Sequence, residues 1–356
     1  MNGTACNAQA VLSAVTPYGR GAGSSRVRVH EWLDRMSDAS RTYPYAGLAG
    51  AGPATLLRHP VSVARAERRL RALASSGPGR LLLHREASPL SRGALEQRLV
   101  RSAHLSVYDF DDALYADVGQ GPRYRRIAPK GPKVTEVARA VDRVVAGNET
   151  LADWASQHNR DVVVVPSCVD PAAYDAKPTY AISDPPRLGW IGSWSTEAHL
   201  VTIAPALLHL HGRFGARLVL VGAPTGRLGE LDAMTDRIAW SGDTQRREVA
   251  RFDLGLMPLT DDPYSRGKCG YKLLQYLAAG VPSVASPVGV NATILARAGL
   301  PAADTIDEWV EAITGLLEAA EADRAALGHG ARAMIEEHYS FTAWHAKWRS
   351  AMFLDG

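Results

Sequence analysis

Residues 253–290 read DLGLMPLTDDPYSRGKCGYKLLQYLAAGVPSVASPVGV. The apolar run Leu254–Met257, closed by Pro258, has the pattern of a strand buried on both faces. A polar loop with Asp261, Asp262 and Ser265 follows, then the segment Arg266-Gly267-Lys268-Cys269-Gly270-Tyr271-Lys272. Tyr271–Ala279 has the spacing of a helix stopped by Gly280, and Pro282–Ala285 reads as the next strand. Strand, loop, helix and strand make one β-α-β unit of a parallel sheet. First-turn amides and the helix dipole at Gly270–Lys272 suit phosphate oxygens. Lys268 and Lys272 add positive charge, and Gly267 and Gly270 let a backbone approach a ligand. A lysine-bearing helix start on an ordinary α/β surface has the same sequence pattern.

Working outward, the same alternation covers the chain. Upstream, Arg187–Ile191 is a strand that ends in Gly192-Ser193, with a helix from Glu197 to Phe214 after it. Arg217–Val221 is a strand ending in Gly222, Ile238–Trp240 is extended, and Arg246–Arg251 is a short helix. Helices are expected at Thr305–Ala320, Asp323–Glu337 and Thr342–Phe353, the last carrying Trp344 and Trp348. In the first half, strands are expected at Ala10–Val15, Thr42–Tyr45, Arg80–His84, Leu105–Phe110, Asp142–Ala146 and Asp161–Val165. Helices fall after Ser24 or Ser25, at Val61–Ala74, at Leu90–Arg101 and between the last two strands. Lys177–Pro186 (KPTYAISDPP) reads as an interdomain linker. The expected fold class is α/β, with two doubly wound Rossmann-like halves and ligands beyond the carboxyl ends of the strands, at the cleft between them.

Composition narrows the function classes. The chain has 356 residues, 46% apolar and 22% charged, with a formal net charge of +3. That is a globular composition long enough for two cores, and too weakly basic for diffuse nucleic-acid binding. Arginines cluster at 58–80 and 123–126, where Arg65, Arg68, Arg69 and Arg71 read as a solvated helix face. Cys6, Cys168 and Cys269 lie far apart, so neither a disulfide framework nor a zinc site is expected, and a cytoplasmic location fits. No apolar run is long enough for an integral membrane segment, and the N-terminus lacks the pattern of a signal peptide.

Three further stretches carry polar groups at strand ends. Gly19–Arg28 (GRGAGSSRVR) follows the first strand; Gly21 and Gly23 can approach a phosphate or sugar, or simply form a turn. His84, Arg85 and Glu86 emerge from the Arg80–His84 strand, where a lone histidine is as often structural as functional. In Tyr108–Tyr115 (YDFDDALY), Asp109 and Asp111 share one strand face, with Asp112 beside them. They could cap a helix, bind hydroxyl groups of a ligand, or pair with an ammonium group. Asp109-Phe110-Asp111 also has a metal-binding Asp-x-Asp form, but it lies far from the segment at 266–272.

The string KCGYKLLQYLAAGVPSVAS and the following Pro287-Val288-Gly289 resemble the donor-site signature of glycosyltransferase family 4, the retaining enzymes of GT-B fold. VVVPSCVD at 163–170, LGWIGS at 188–193, Leu218–Gly222 and Glu337–Phe341 agree with other parts of that family. The resemblance is strong over 187–290 and weak over 40–80. It implies an acceptor-binding domain at 1–180, a donor-binding domain at 181–340, and a terminal helix at 341–356 crossing back onto the first domain. It places the donor at Gly21, Gly23, Gly192, Ser193, Gly222, Arg266, Lys268, Cys269, Gly270, Tyr271, Lys272 and Gln275, with Lys268, Lys272 and His84 acting in catalysis. Arg85, Glu86, Asp109, Asp111 and Asp112 are the expected acceptor-binding residues. Two features depart from the family. Its Glu-x7-Glu pair, for the sugar and the ribose, is replaced by Gly267 and Gln275. Its Arg and Lys after the first donor-domain glycine are replaced by Ser193 and Ala198, so Lys268 and Lys272 would supply the charge.

The resemblance implies an enzyme of the EC 2.4 class, a retaining hexosyl- or related transferase. It would move a sugar from a nucleoside diphosphate, UDP being the family's commonest donor base, to a hydroxyl of a small acceptor. An aminocyclitol or other bacterial secondary metabolite suits the aspartates and points to antibiotic biosynthesis. No cofactor or metal is expected, because GT-B enzymes use helix amides and cations instead. The partners are then the donor and a small polar acceptor, without nucleic acid. The alternatives are a degenerate sugar-nucleotide-binding or scaffold protein, favoured by the missing glutamates, and a GT-B epimerase.

Overall fold

The computed structural model describes residues 11–48, 52–116, 130–193, 196–222 and 225–355. Cys6 and the arginines at 123–126 lie outside the described residues. The chain forms two compact units. It passes from the first to the second between Ser167 and Cys168, and returns to the first between Trp344 and His345.

The first unit holds six parallel strands: β1 (Leu12–Thr16), β2 (Ser40–Pro44), β3 (Arg80–His84), β4 (Leu105–Phe110), β5 (Arg143–Ala146) and β6 (Val162–Val164). Their order is β2-β1-β3-β4-β5-β6. The chain order reverses between β1 and β3, the switch point at which a crevice opens beyond the strand ends. Leu81, Leu82, Leu83, Val144 and Val145 are fully buried, as expected of strands covered on both faces. After β1 the helix begins as an α-turn (Gly23–Ser25), widens to a π-turn (Arg26–His30) and closes as an α-turn (Glu31–Leu33). Lys130–Ala140 is an unexpected helix. Its Gly131 and Pro132 look like breakers, but proline is tolerated in a first turn because those amides need no intrahelical acceptor. The last residues of the chain belong here too: Trp348 stacks on Trp32 with ring centroids 5.1 Å apart, and Arg143 lies 4.2 Å over the Phe353 ring.

The second unit holds β7 (Arg187–Ile191), β8 (Arg217–Val221), β9 (Thr235–Ile238), β10 (Leu254–Met257) and β11 (Ser283–Ala285), all parallel. Their order is β11-β10-β7-β8-β9, so the switch point lies between β7 and β10. Those strands pair only at Leu254–Leu188 and Gly255–Gly189. Beyond that, the buried Tyr276 hydroxyl accepts from the Ile191 amide (3.0 Å) and donates to the Leu256 carbonyl (3.2 Å). The phenol satisfies backbone groups at the parting of the strands. One face of the sheet is packed by Phe252, Leu273, Tyr276 and Leu277, the other by Leu207, Leu210, Trp309 and Ile313.

Three expectations change. The helix expected over Glu197–Phe214 is two helices, Ala198–Val201 and Ala204–Phe214. Pro205 lacks an amide proton and its ring collides with the carbonyl one turn earlier, so the helix restarts there. Val290–Ala298 is a helix that escaped notice, its apolar stripe being interrupted by Asn291 and Thr293. The stretch read as a linker is fastened to the second unit. Tyr180 is buried and donates to the Gly280 carbonyl (3.0 Å), Arg324 donates to the Tyr180 carbonyl (2.8 Å), and Lys177 donates to the Phe252 carbonyl (2.6 Å).

Candidate functional site

In the second unit the switch point gathers the loop after β7 and the loop after β10. Gly192 and Gly222 pack backbone to backbone: a Cβ on Gly222 would lie 2.3 Å from the Gly192 carbonyl oxygen. Gly222 also has φ +123°, which disfavours any side chain. The two turns therefore approach each other closely, with Ser193 exposed at the end of the first. Asp262 caps the short Pro263–Arg266 helix by accepting from the Ser265 amide. The chain then reaches Gly270, which takes φ +64° and starts the Tyr271–Ala278 helix. A Cβ on Gly270 would meet Ile294 at 2.7 Å, so this glycine serves close packing onto the Val290–Ala298 helix. Gly270 and Cys269 are buried, while Lys268, Tyr271 and Lys272 are half-exposed.

The lysine ammonium groups lie against aromatic faces. Lys268 Nζ is 4.6 Å from the Tyr264 ring centroid and Lys272 Nζ is 5.2 Å from that of Trp190. His199 completes the group: burial pushes its pKa down, and the charges of Lys268 and Lys272 push it further. Two lysines thus stand where the dipole of the Tyr271–Ala278 helix is positive, and their charge disfavours protonation of His199. Arg266 is turned aside, its guanidinium forked onto Asp261 at 2.6 and 2.8 Å. Gln275 is 3% exposed and its amide nitrogen donates to the Tyr174 hydroxyl at 2.8 Å, which also accepts from Gln245 at 3.0 Å.

In the first unit the switch point between β1 and β3 holds a second cluster. Gly21 and Gly23 lie here, in a different unit from the other residues expected at the donor, and open space surrounds both. Ser24 Oγ is 2.8 Å from His84 Nε2 and donates to Asp111 at 2.9 Å. His84 Nδ1 is 2.7 Å from Asp109 Oδ1. Nδ1 faces a carboxylate and so carries a proton. On the other side of the ring, the Ser24 hydroxyl bridges Nε2 and Asp111. Buried Arg28 donates to Asp109 at 2.5 and 3.2 Å and to the Val165 carbonyl at 2.7 Å. Burial opposes ionisation of Asp109 and Asp111, but Arg28 and His84 for the first, and Arg85 and His84 for the second, outweigh it and hold both carboxyls below their usual range.

The turn His84-Arg85-Glu86 is strained. Arg85 has φ +60°, and the Glu86 amide donates to the His84 carbonyl at 2.8 Å. Such a conformation in a non-glycine residue costs about 1–3 kcal/mol. It lets neighbouring side chains go separate ways. Arg85 donates to Asp111 (2.6 Å) and to Asp112. Glu86 is buried between Lys130 (2.6 Å) and Lys133 (2.8 Å). Burial raises its pKa, yet the two lysines prevail and hold it at about 2.

These contacts revise the reading of the acidic residues. The aminated-acceptor idea rested on three uncompensated aspartates, but Arg28, His84 and Arg85 stand among them, and Glu86 has both oxygens occupied. Asp109 and Asp111 face cations, and among the described residues no group of three or more His, Cys, Asp or Glu side chains is arranged for a metal ion. Ser24, Arg28, Lys130, Lys133 and His199 did not stand out in the sequence. Their partners lie 40 to 140 positions away, roughly, so spacing carries no signal of them; the π-turn that carries Arg28 is likewise visible only in the fold.

The model of the family "Glycosyl transferases group 1" matches residues 185–319, which hold the whole sheet of the second unit. No curated protein matches the chain. Among solved structures, sucrose-phosphate synthase from Thermosynechococcus elongatus superposes with a TM-score of 0.71 at 12% identity, covering 97% of this chain and 100% of that one. HepE from Anabaena, solved in complex with UDP-glucose, gives 0.67 at 12% identity, covering 96% and 99%. WaaG, a glycosyltransferase involved in lipopolysaccharide biosynthesis, gives 0.64 at 15% identity, covering 97% and 100%. The chain therefore has the α/β fold of the GT-B glycosyltransferases, with two parallel sheets surrounded by helices.

Proposed function

We propose that the protein is a glycosyltransferase that takes a sugar from a nucleoside diphosphate, UDP being the first base to test, and passes it to a hydroxyl of a small polar acceptor with retention. The carrying observation is the pair Lys268 and Lys272 at the start of the Tyr271–Ala278 helix, within the stretch that matches the glycosyltransferase family model. Charge accumulates on the leaving diphosphate in the transition state. Cations and helix amides already in position stabilise it without reorganising. They also do the work of a metal ion, so a chelator should leave turnover unchanged. Gly192, Ser193 and Gly222 line the approach, and the phosphate itself takes the acceptor proton. In the first unit, His84, Arg85, Asp111 and Asp112 hold acceptor hydroxyls; the internal pairing of those acids favours a neutral polyol over an aminocyclitol. A cytoplasmic location accords with three widely spaced cysteines.

A panel of UDP-, GDP- and dTDP-sugars in a thermal-shift assay tests the donor site; no shift with any of them would sink the reading. Lys268→Ala should lower turnover at least tenfold with little change in melting temperature, and unchanged kinetics would remove the phosphate role. One observation favours a second reading, a sugar-nucleotide-binding protein without transferase activity: Gln275, which stands where the family has a glutamate, is buried and bonded to Tyr174. Slow hydrolysis of the donor in the absence of acceptor would exclude it.

A further inference from the structure

The helices Pro53–Arg58 and Pro60–Ser76 form an exposed surface of the first unit. Leu57 is 80% exposed and Val61 69%, the highest values for large hydrophobic residues among the described part of the chain. They flank the break between the helices at His59, and Arg58, Arg65, Arg68 and Arg69 stand exposed around them. The surrounding charge is of one sign. Between residues 52 and 104 the only carboxylates are Glu67, Glu86 and Glu96. Glu86 and Glu96 are buried against Lys133. Glu67 is 14% exposed at its side chain and accepts from Tyr45, Ser88 and Arg71. The acids of this stretch point inward and its arginines, Arg80 and Arg85 apart, are exposed, so the surface is locally cationic although the whole chain carries only +3.

We infer that this surface docks peripherally on a bilayer containing anionic lipid. Exposed apolar side chains cost free energy in water and regain it at the boundary of headgroups and acyl chains. Arginines around them then lie at the level of the phosphates, where each basic residue near an anionic leaflet strengthens binding about fivefold. A nucleic acid would also attract the arginines. It would leave Leu57 and Val61 in water, and the tyrosine beside them, Tyr43, is only half-exposed with Arg69 lying over its ring. The inference uses none of the donor-site residues and stands whether or not the protein transfers sugar.

Co-sedimentation of the full chain with vesicles decides the matter. We expect binding to vesicles of phosphatidylcholine mixed with phosphatidylglycerol, and none to phosphatidylcholine alone. Leu57→Gln with Val61→Gln should weaken binding at least tenfold, and Arg65→Gln with Arg68→Gln about twenty-five-fold. All four side chains are exposed, so melting temperatures and donor-induced thermal shifts should be unchanged. Absence of binding to the anionic vesicles, binding indifferent to Leu57 and Val61, or tighter binding to duplex DNA than to the vesicles would each overturn the inference. Failure of the donor thermal shift alone would count against the proposed function and leave this docking surface standing.

Discussion

Glu86, Lys133 and Glu96 sit inside the first unit with side chains at most 5% exposed, and such a set is stable only while it is complete. Removing one partner leaves an uncompensated buried charge, which costs more than the ion pair contributes. Glu86→Ala is therefore expected to destabilise the first unit by about 3–5 kcal/mol, measured by urea unfolding. A loss under 1 kcal/mol would mean that Lys133 reaches water. A second residue-scale effect follows from His30, which is buried with neither ring nitrogen hydrogen-bonded among the described residues. Burial, helped by the charge of Arg20, pushes its pKa from 6.5 down to about 4. The unfolded chain binds the proton first, so this contribution is intact above pH 6.5 and is lost as the pH falls toward 4. Glu86, held at about 2 against an ordinary 4.5, adds a separate loss between those values. Between pH 7 and pH 5 the melting temperature should drop less in His30→Leu than in the wild type; equal drops would refute the assignment to His30.

At the scale of elements, the parting of β7 and β10 depends on one side chain. Burial drives the Tyr276 pKa upward, so the phenol stays protonated as the bridge between Ile191 and Leu256. Tyr276→Phe keeps the packing and strands two buried backbone groups, at an expected cost of about 1–3 kcal/mol. The paired glycines Gly189 and Gly255 make room for the same aromatic layer: a Cβ on Gly255 would lie 2.5 Å from the Tyr276 ring, and one on Gly189 1.9 Å from that of Phe252. Gly255→Val would raise strand propensity and still destabilise, because no rotamer change frees the space. Chemical denaturation of both variants tests this; a stabilised Gly255→Val would show that the rings can move aside. Strand and helix spans were legible here because Leu254–Met257 and Tyr271–Ala279 obey clear periods. The Lys130–Ala140 and Val290–Ala298 helices were not, since tertiary burial holds them despite a weak local pattern.

At the scale of the whole molecule, the chain begins in one unit, builds the second, and returns to the first with its last residues. Trp348 is 1% exposed and lies flat on Trp32, so the C-terminal segment fills core volume in the unit where the chain started. Trp348→Ala should cost the first unit about 3–5 kcal/mol. In calorimetry we expect one transition, that of the first unit, to move down while the other stays in place, with second-unit variants such as Gly255→Val moving only the latter. Movement of the transition that Gly255→Val affects, and of no other, would contradict the placement of Trp348.

The sequence by itself determined the parallel α/β architecture, the position of most strands, and the segment at 266–272 as a lysine-flanked helix start. Those features are local: apolar runs, glycine at a left-handed position, and lysines beside it. Only the tertiary structure decided which charges meet. It turned Gln275 toward Tyr174, gave Glu86 to Lys130 and Lys133, and enclosed His84 between Asp109 and Asp111 with Ser24 as the bridge. Partners in a buried polar network come from distant strands whose register and strain are set by packing, and no spacing along the chain encodes them.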